Sequence, residues 1–228
     1  MSVSDFIATV ENRLIVSCQA LPQTPLDKPE IIKAIAQSVE LAGAAAVRID
    51  GGANIRAIRK ESAIPVIGIY KTADRSSIYI TPLYEQAVEL KEAGASIIAL
   101  QATNPRQGNC TDLGTMIDRI HSELGLGVMA DISTLDEAIA ARELGADIVA
   151  TTLSGYTPHS RQLKGPDLEL VKEIADKGIP VIAEGRYHTP QQVVEALNYG
   201  AISVVVGTVI TMPDRITRYF IDHIQRAI

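Results

Sequence analysis

Eight short apolar runs alternate with stretches whose apolar residues recur every three or four positions. The runs are Leu14–Cys18, Ala45–Arg48, Pro65–Tyr70, Ser96–Leu100, Gly127–Ala130, Asp147–Ala150, Pro180–Ala183 and Ser203–Val206. Each is too short for a packed helix and reads as a buried strand, while the longer stretches read as amphipathic helices. After Pro29, for instance, Ile31, Ile35, Val39 and Ala42 share one helical face. The pattern predicts further helices over 53–61 and 111–124, one opening at Thr81-Pro82, one at Pro166, and one from Pro213 to near the end. Thr134-Leu-Asp-Glu137 reads as a capping box, and Thr189-Pro190-Gln191-Gln192 as an N-cap with proline in the first turn.

Four of the helix-to-strand handovers repeat one phrase, Gly-Ala, at Gly43, Gly94, Gly145 and Gly200. These glycines stand 51, 51 and 55 residues apart. Glycine just past a helix supplies the left-handed turn that ends it. A period near fifty fits two strand–helix units, and eight such units imply parallel strands in a closed α/β fold, a (β/α)8 TIM barrel. The helix over residues 3–12 is expected to plug the barrel from below. No G-x-G-x-x-G follows the first strand, so an open dinucleotide-binding sheet lacks its signature.

Composition narrows the classes without changing this picture. The 228 residues suit a single barrel domain, 1–228, and 46% hydrophobic content with no Trp fits a buried parallel sheet wrapped by helices. A net charge of −6 argues against nucleic acid or an anionic membrane surface as partner. The N-terminal segment does not read as a signal peptide, and no apolar run approaches the roughly 18–20 residues that span a bilayer. Cys18 and Cys110 form no disulfide framework, so a cytoplasmic protein with reduced thiols is expected.

In such a barrel the chemistry lies at the C-terminal ends of the strands. Side chains alternate faces, so parity proposes the inward residues: Ile15, Ser17 and Gln19; Ala44, Ala46 and Arg48; Ile67, Ile69 and Lys71; Ile97, Ala99 and Gln101; Met129 and Asp131; Ile182 and Glu184. Each series begins small or apolar and ends polar. Arg48 and Asp131 can pair as ions or bind substrate, and Gln19 and Gln101 can satisfy loop backbone or bind substrate. An interior Lys71 or Glu184 is costly unless paired or used. Gly185-Arg186 and Gly207-Thr208, after the last two strands, occupy the usual phosphate-binding loops of this fold. No metal site is expected: His121, His159, His188 and His223 show no ligand spacing. Cys18 reads as a packed core thiol, since parity brings no histidine beside it.

These motifs, running nearly end to end, resemble bacterial N-acetylmannosamine-6-phosphate 2-epimerases. The likeness is carried by Leu14-Ile-Val-Ser-Cys-Gln19 with Pro25-Leu-Asp-Lys-Pro-Glu30, Ile67-Gly-Ile-Tyr-Lys71, Ala130-Asp-Ile-Ser-Thr134, Thr151-Thr-Leu-Ser-Gly-Tyr-Thr157, Ile182-Ala-Glu-Gly-Arg186 and Val204-Val-Val-Gly-Thr208. The resemblance implies interconversion of N-acetylmannosamine 6-phosphate and N-acetylglucosamine 6-phosphate in sialic acid and amino-sugar catabolism, without a redox cofactor. It implies Lys71 as the proton-transfer lysine, Glu184 as its partner acid/base, and Gln19, Arg48 and Asp131 as substrate contacts. Two positions depart from the family pattern: Gln101 stands where an aspartate is usual, and Met212 where an arginine commonly precedes the proline of the last helix.

Epimerising C2 requires opening the sugar to its aldehyde and then moving the proton alpha to the carbonyl. A lysine with a reference pKa of about 10.4 is neutral at pH 7 only at roughly 4.6 kcal/mol, so a basic Lys71 needs a favourable setting. Rival readings are a Schiff-base aldolase or another sugar-phosphate isomerase using Lys71, and a sugar-phosphate sensor without catalysis. A homodimer is a further expectation.

Overall fold

A computed structural model describes residues 1–74, 78–106 and 108–227. Its strands are β1 (Leu14–Cys18), β2 (Ala46–Asp50), β3 (Val66–Ile69), β4 (Ile97–Gln101), β5 (Gly127–Asp131), β6 (Ile148–Ala150), β7 (Val181–Glu184) and β8 (Ser203–Val206). They pair in parallel in chain order, and β8 returns to β1 with Leu14 opposite Val204 and Val16 opposite Val206. The sheet is a closed barrel, as the alternation predicts.

Strand parity separates two cores. Ile15, Ala46, Ile67, Met129, Ile182 and Val205 fill the barrel interior, with Phe6 and Val10 of α1 (Val3–Val10) packed against them from below. The leading helix is therefore a plug. Outward residues such as Val16, Val47, Ile98 and Val149 lie under the helices in a separate, outer core. That ring comprises α2 (Pro29–Leu41), α3 (Gly52–Arg59), α4 (Tyr84–Ala93), α5 (Leu113–Arg119), α6 (Leu135–Glu143), α7 (Leu168–Asp176) and α8 (Pro190–Asn198).

The four Gly-Ala junctions form alike. Each glycine has φ between +96° and +102°, and the alanine N–H after it donates to a carbonyl five residues back: Ala44 to Val39, Ala95 to Leu90, Ala146 to Ala141, Ala201 to Ala196. This is the six-to-one bond of a Schellman cap, which satisfies an orphan carbonyl as the chain turns into its strand.

Several boundaries differ from the sequence expectation. The leading helix stops at Val10, and Asn12 turns left-handed at φ 56°. The helix expected at Thr81 begins instead at Tyr84. Thr81 sits at φ 47°, with its hydroxyl donating to the Ala99 carbonyl at 2.7 Å and accepting from the Tyr70 N–H at 3.0 Å. The helix predicted over 111–124 is α5 followed by a π-helical turn, Ile120–Leu124. A short helix unmarked by periodicity, α9 (Thr208–Thr211), follows β8, and α10 (Pro213–Ala227) closes the chain. The expected loop after β3 falls partly on residues 75–77, outside the described residues. Lys71, at its start, bridges antiparallel to Ile80.

Candidate active site

A cavity of about 550 Å³ opens at the C-terminal ends of the strands. Gln19, Arg48, Lys71 and Glu184 face it, as parity proposes, and Asp50 and Thr152 join them. Asp131 lies directly beneath, fully buried.

Arg48 is the centre of this group and is only 1% exposed. Its guanidinium grips Asp131 with two bonds, Nη2 to Oδ2 at 2.5 Å and Nη1 to Oδ1 at 2.9 Å. Nη1 also donates to Glu184 Oε2 at 2.7 Å. The Thr152 hydroxyl stands 2.7 Å from Asp131 Oδ1 and 3.2 Å from Glu184 Oε2, and so has one proton to place between two carboxylates. Burial alone disfavours the Arg48 charge, but the two flanking carboxylates more than offset it and the group stays cationic. Asp131 thus holds Arg48 in place from below.

Glu184 ends β7 with its side chain 12% exposed. Burial pushes its carboxyl above the ordinary value, Arg48 opposes that rise, and Asp131 reinforces it. This setting favours the neutral acid more than water does. Lys71 approaches from β3, its ammonium donating to Gln19 Oε1, while Gln19 Nε2 donates to Ser17 Oγ at 2.6 Å. The Lys71 main-chain N–H donates to Asp50 Oδ1 at 2.9 Å. An ammonium, a buried guanidinium and a carboxyl biased toward its acid form therefore share one cavity. With Lys71 in its free-amine form, that set can take a proton from a carbon next to a carbonyl, while the guanidinium and the acid carboxyl hold the resulting negative charge.

The other expected positions divide. Gln101 is buried but serves loop backbone, accepting from the Tyr79 N–H at 3.0 Å and donating to Thr103 Oγ1 at 2.8 Å. Gly185 and Gly207 line the cavity with Arg186 and Thr208. Gly185 has φ 113°, and a Cβ on Gly207 would stand 3.1 Å from the Ser17 Cβ, so neither position readily takes a side chain. The Arg186 guanidinium is tied to loop carbonyls, at 2.5 Å to Ser154 and 2.8 Å to Gly165. Arg215 on α10 faces the same cavity, close to Met212. Cys18 is buried outside the barrel interior, its thiol pushed up to about 12 by burial, which suits packing rather than attack.

Sequence reasoning missed Asp50, Thr152 and Arg215. The first two were open to the same parity rule. Asp50 lies two residues beyond Arg48, and Thr152 completes the series Ile148, Ala150, Thr152. Arg215 carried no such signal, because its place depends on the turn made by α9.

Residues 32–226 match the NanE family, described as "Putative N-acetylmannosamine-6-phosphate epimerase". The chain belongs to this family. A NanE relative from Caldanaerobacter subterraneus subsp. tengcongensis, named "Putative N-acetylmannosamine-6-phosphate 2-epimerase", is 47% identical over 97% of this chain and 94% of its own. A relative of the same name from Escherichia coli O157:H7 is 45% identical over 94% of this chain and 93% of its own. Among solved structures, the N-acetylmannosamine-6-phosphate 2-epimerase from Clostridium perfringens superposes with a TM-score of 0.90. It is 44% identical, and the match covers 95% of each chain. The barrel of this NanE chain therefore agrees in fold with that solved structure over almost its full length.

Proposed function

We propose that this protein interconverts N-acetylmannosamine 6-phosphate and N-acetylglucosamine 6-phosphate, as a cytoplasmic step of amino-sugar catabolism. The observation that carries this reading is the convergence of Lys71, Glu184 and the clamped Arg48 on one cavity, in a chain of the NanE family. Glu184 transfers a proton at the hemiacetal oxygens, opening the ring to the aldehyde. Lys71, as the free amine, removes the C2 proton: the C–H bond breaks, an N–H bond forms, and the electron pair moves onto the C1 oxygen as an enolate whose C2 carries the acetamido nitrogen. Arg48, held rigid by Asp131, stabilises that oxygen with little reorganisation. Return of a proton to the opposite face completes the inversion: return from Lys71 regenerates its amine directly, and return from Glu184 leaves an ammonium and a carboxylate that are reset when Lys71 passes its proton to Glu184. A protonated Glu184 also removes one anion from beside Lys71.

The phosphate is assigned to the Gly185–Arg186 and Gly207–Thr208 loops, where close backbone approach is possible. Arg215 supplies a cation at the same mouth, in the neighbourhood where Met212 carries none. Gln19 is assigned to the substrate's oxygens, and Gln101 to support of the loops around it.

NMR of N-acetylmannosamine 6-phosphate with the protein tests this directly. Signals of the gluco epimer should grow to an equilibrium mixture. Binding without epimer would favour a sensor, and a borohydride-trapped adduct at Lys71 would favour an aldolase.

The assembly expected is a homodimer through α10. Ile216, Phe220 and Ile224 form a stripe four residues apart. Ile216 borders an apolar groove with Leu26 and Ile35, whereas Phe220 and Ile224 stand exposed. A second copy is the partner that covers this face.

A further inference from the structure

We propose that Asp50 is a positioning residue for Lys71, fixing the main chain from which the lysine projects and setting a negative charge beside its ammonium. The inference rests on the reading of Lys71 as the proton-transfer group and adds to it a residue that the family resemblance does not name.

The geometry starts from strand register. Ala46, Arg48 and Asp50 alternate along β2, so Asp50 projects to the same side as Arg48, at the strand's last position. Asp50 stands opposite Ile69 in the pairing of β2 with β3, two residues short of Lys71. From there its Oδ1 accepts the Lys71 N–H at 2.9 Å, while the Gly51 N–H donates to the Ile69 carbonyl at 2.8 Å. On the other side, Lys71 is bridged to Ile80. The chain at Lys71 is thus held from both flanks, which limits where Nζ can reach.

Asp50 also lines the reacting cavity. A half-buried carboxylate at such a place is costly without compensation. Burial, with a smaller push from Asp27, holds the Asp50 carboxyl above its ordinary value, and the Lys71 N–H and the charges of Lys71 and Arg48 oppose that rise in part. Coulomb attraction is mutual, so a carboxylate favoured by Lys71 favours the Lys71 ammonium equally. Other charged or titratable groups around this cavity are Arg48 and Glu184 from the barrel, Asp27 after β1, Arg186 and His188 after β7, and Arg215 from α10. Asp74 and Tyr79 lie on the lysine's own loop. A substitution at Asp50 leaves all of these in place.

The test uses Asp50→Asn, which keeps an oxygen to accept the Lys71 N–H and removes only the charge. In protein labelled with ε-¹³C lysine, the Lys71 signal is assigned by its loss in Lys71→Ala and followed against pH. The midpoint should fall by about one pH unit in Asp50→Asn, because the ammonium loses a neighbouring anion. In Asp50→Glu it should stay near that of the unsubstituted protein. The kcat/KM limb that follows Lys71 should move by the same amount and in the same direction. An unmoved Lys71 midpoint in Asp50→Asn overturns the proposal. A midpoint that moves while the kcat/KM limb does not would uphold Asp50 and refute the proton-transfer role of Lys71. Should Asp50→Asn fail to fold, Asp50→Ser removes the same charge and carries the same expectation.

Discussion

Arg48, Asp131 and Glu184 show how one buried cation organises a site. Asp131 takes both ends of a two-bond grip, which leaves Glu184 sharing what remains of the guanidinium. A buried ion pair of this kind is a weak source of stability but a strong fix on geometry, since breaking one side leaves a charge uncompensated. Glu184 carries the cost. Its folded carboxyl sits above the ordinary value of 4.5, so the folded protein binds this proton more tightly than the unfolded chain does. Stability must then fall as pH rises from the ordinary value through the raised one, and level off above it. Glu184→Gln removes that dependence while Arg48 keeps Asp131. Urea denaturation across this range should show the unsubstituted protein losing stability relative to Glu184→Gln as pH rises, and parallel curves would contradict the assignment. At this scale the sequence was informative wherever alternation could be counted from an apolar strand. Gln19, Arg48, Lys71 and Glu184 reach the cavity as parity requires. Gln101 obeys the parity yet serves backbone, because the loop after β3 crosses above it, a contact no strand pattern encodes.

Elements divide the barrel into a stabilising end and a reacting end. The four Schellman caps sit where helices hand over to strands, opposite the cavity, and their shared bonds explain why the phrase recurs. Gly43 isolates the backbone requirement, since nothing lies within 4 Å of a Cβ added there and only φ +98° opposes one. Gly43→Ala should cost about 1–2 kcal/mol in chemical denaturation, the price of a left-handed side-chain-bearing residue, with kcat/KM unchanged. A large loss of activity at unchanged stability would mean the two ends are not separate. The α9 helix was illegible for a physical reason. Thr-Val-Ile-Thr is β-branched and only one turn long, and it forms in part because Thr211 Oγ1 donates to the Ser17 carbonyl at 2.8 Å, a contact 194 residues away in sequence.

The whole molecule is a closed barrel plugged below by Phe6 and Val10 and polar above, with a last helix that leaves part of its apolar stripe uncovered. Closure was readable because eight units repeat. The packing of α10 was not, because an amphipathic helix shows that it has a partner and not where that partner lies. Phe220 is 62% exposed. If a second copy covers it, sedimentation should give a dimer for the unsubstituted protein and a monomer for Phe220→Glu; a monomer for both would refute the dimer. The fold and the family point to the mouth of the barrel, where Lys71 is proposed to move the C2 proton. Deuterium incorporation at C2 of N-acetylmannosamine 6-phosphate in D₂O measures that transfer itself. The unsubstituted protein should label C2 and form the gluco epimer, and Lys71→Ala, folded and able to bind, should do neither. Full C2 labelling by Lys71→Ala would contradict the account.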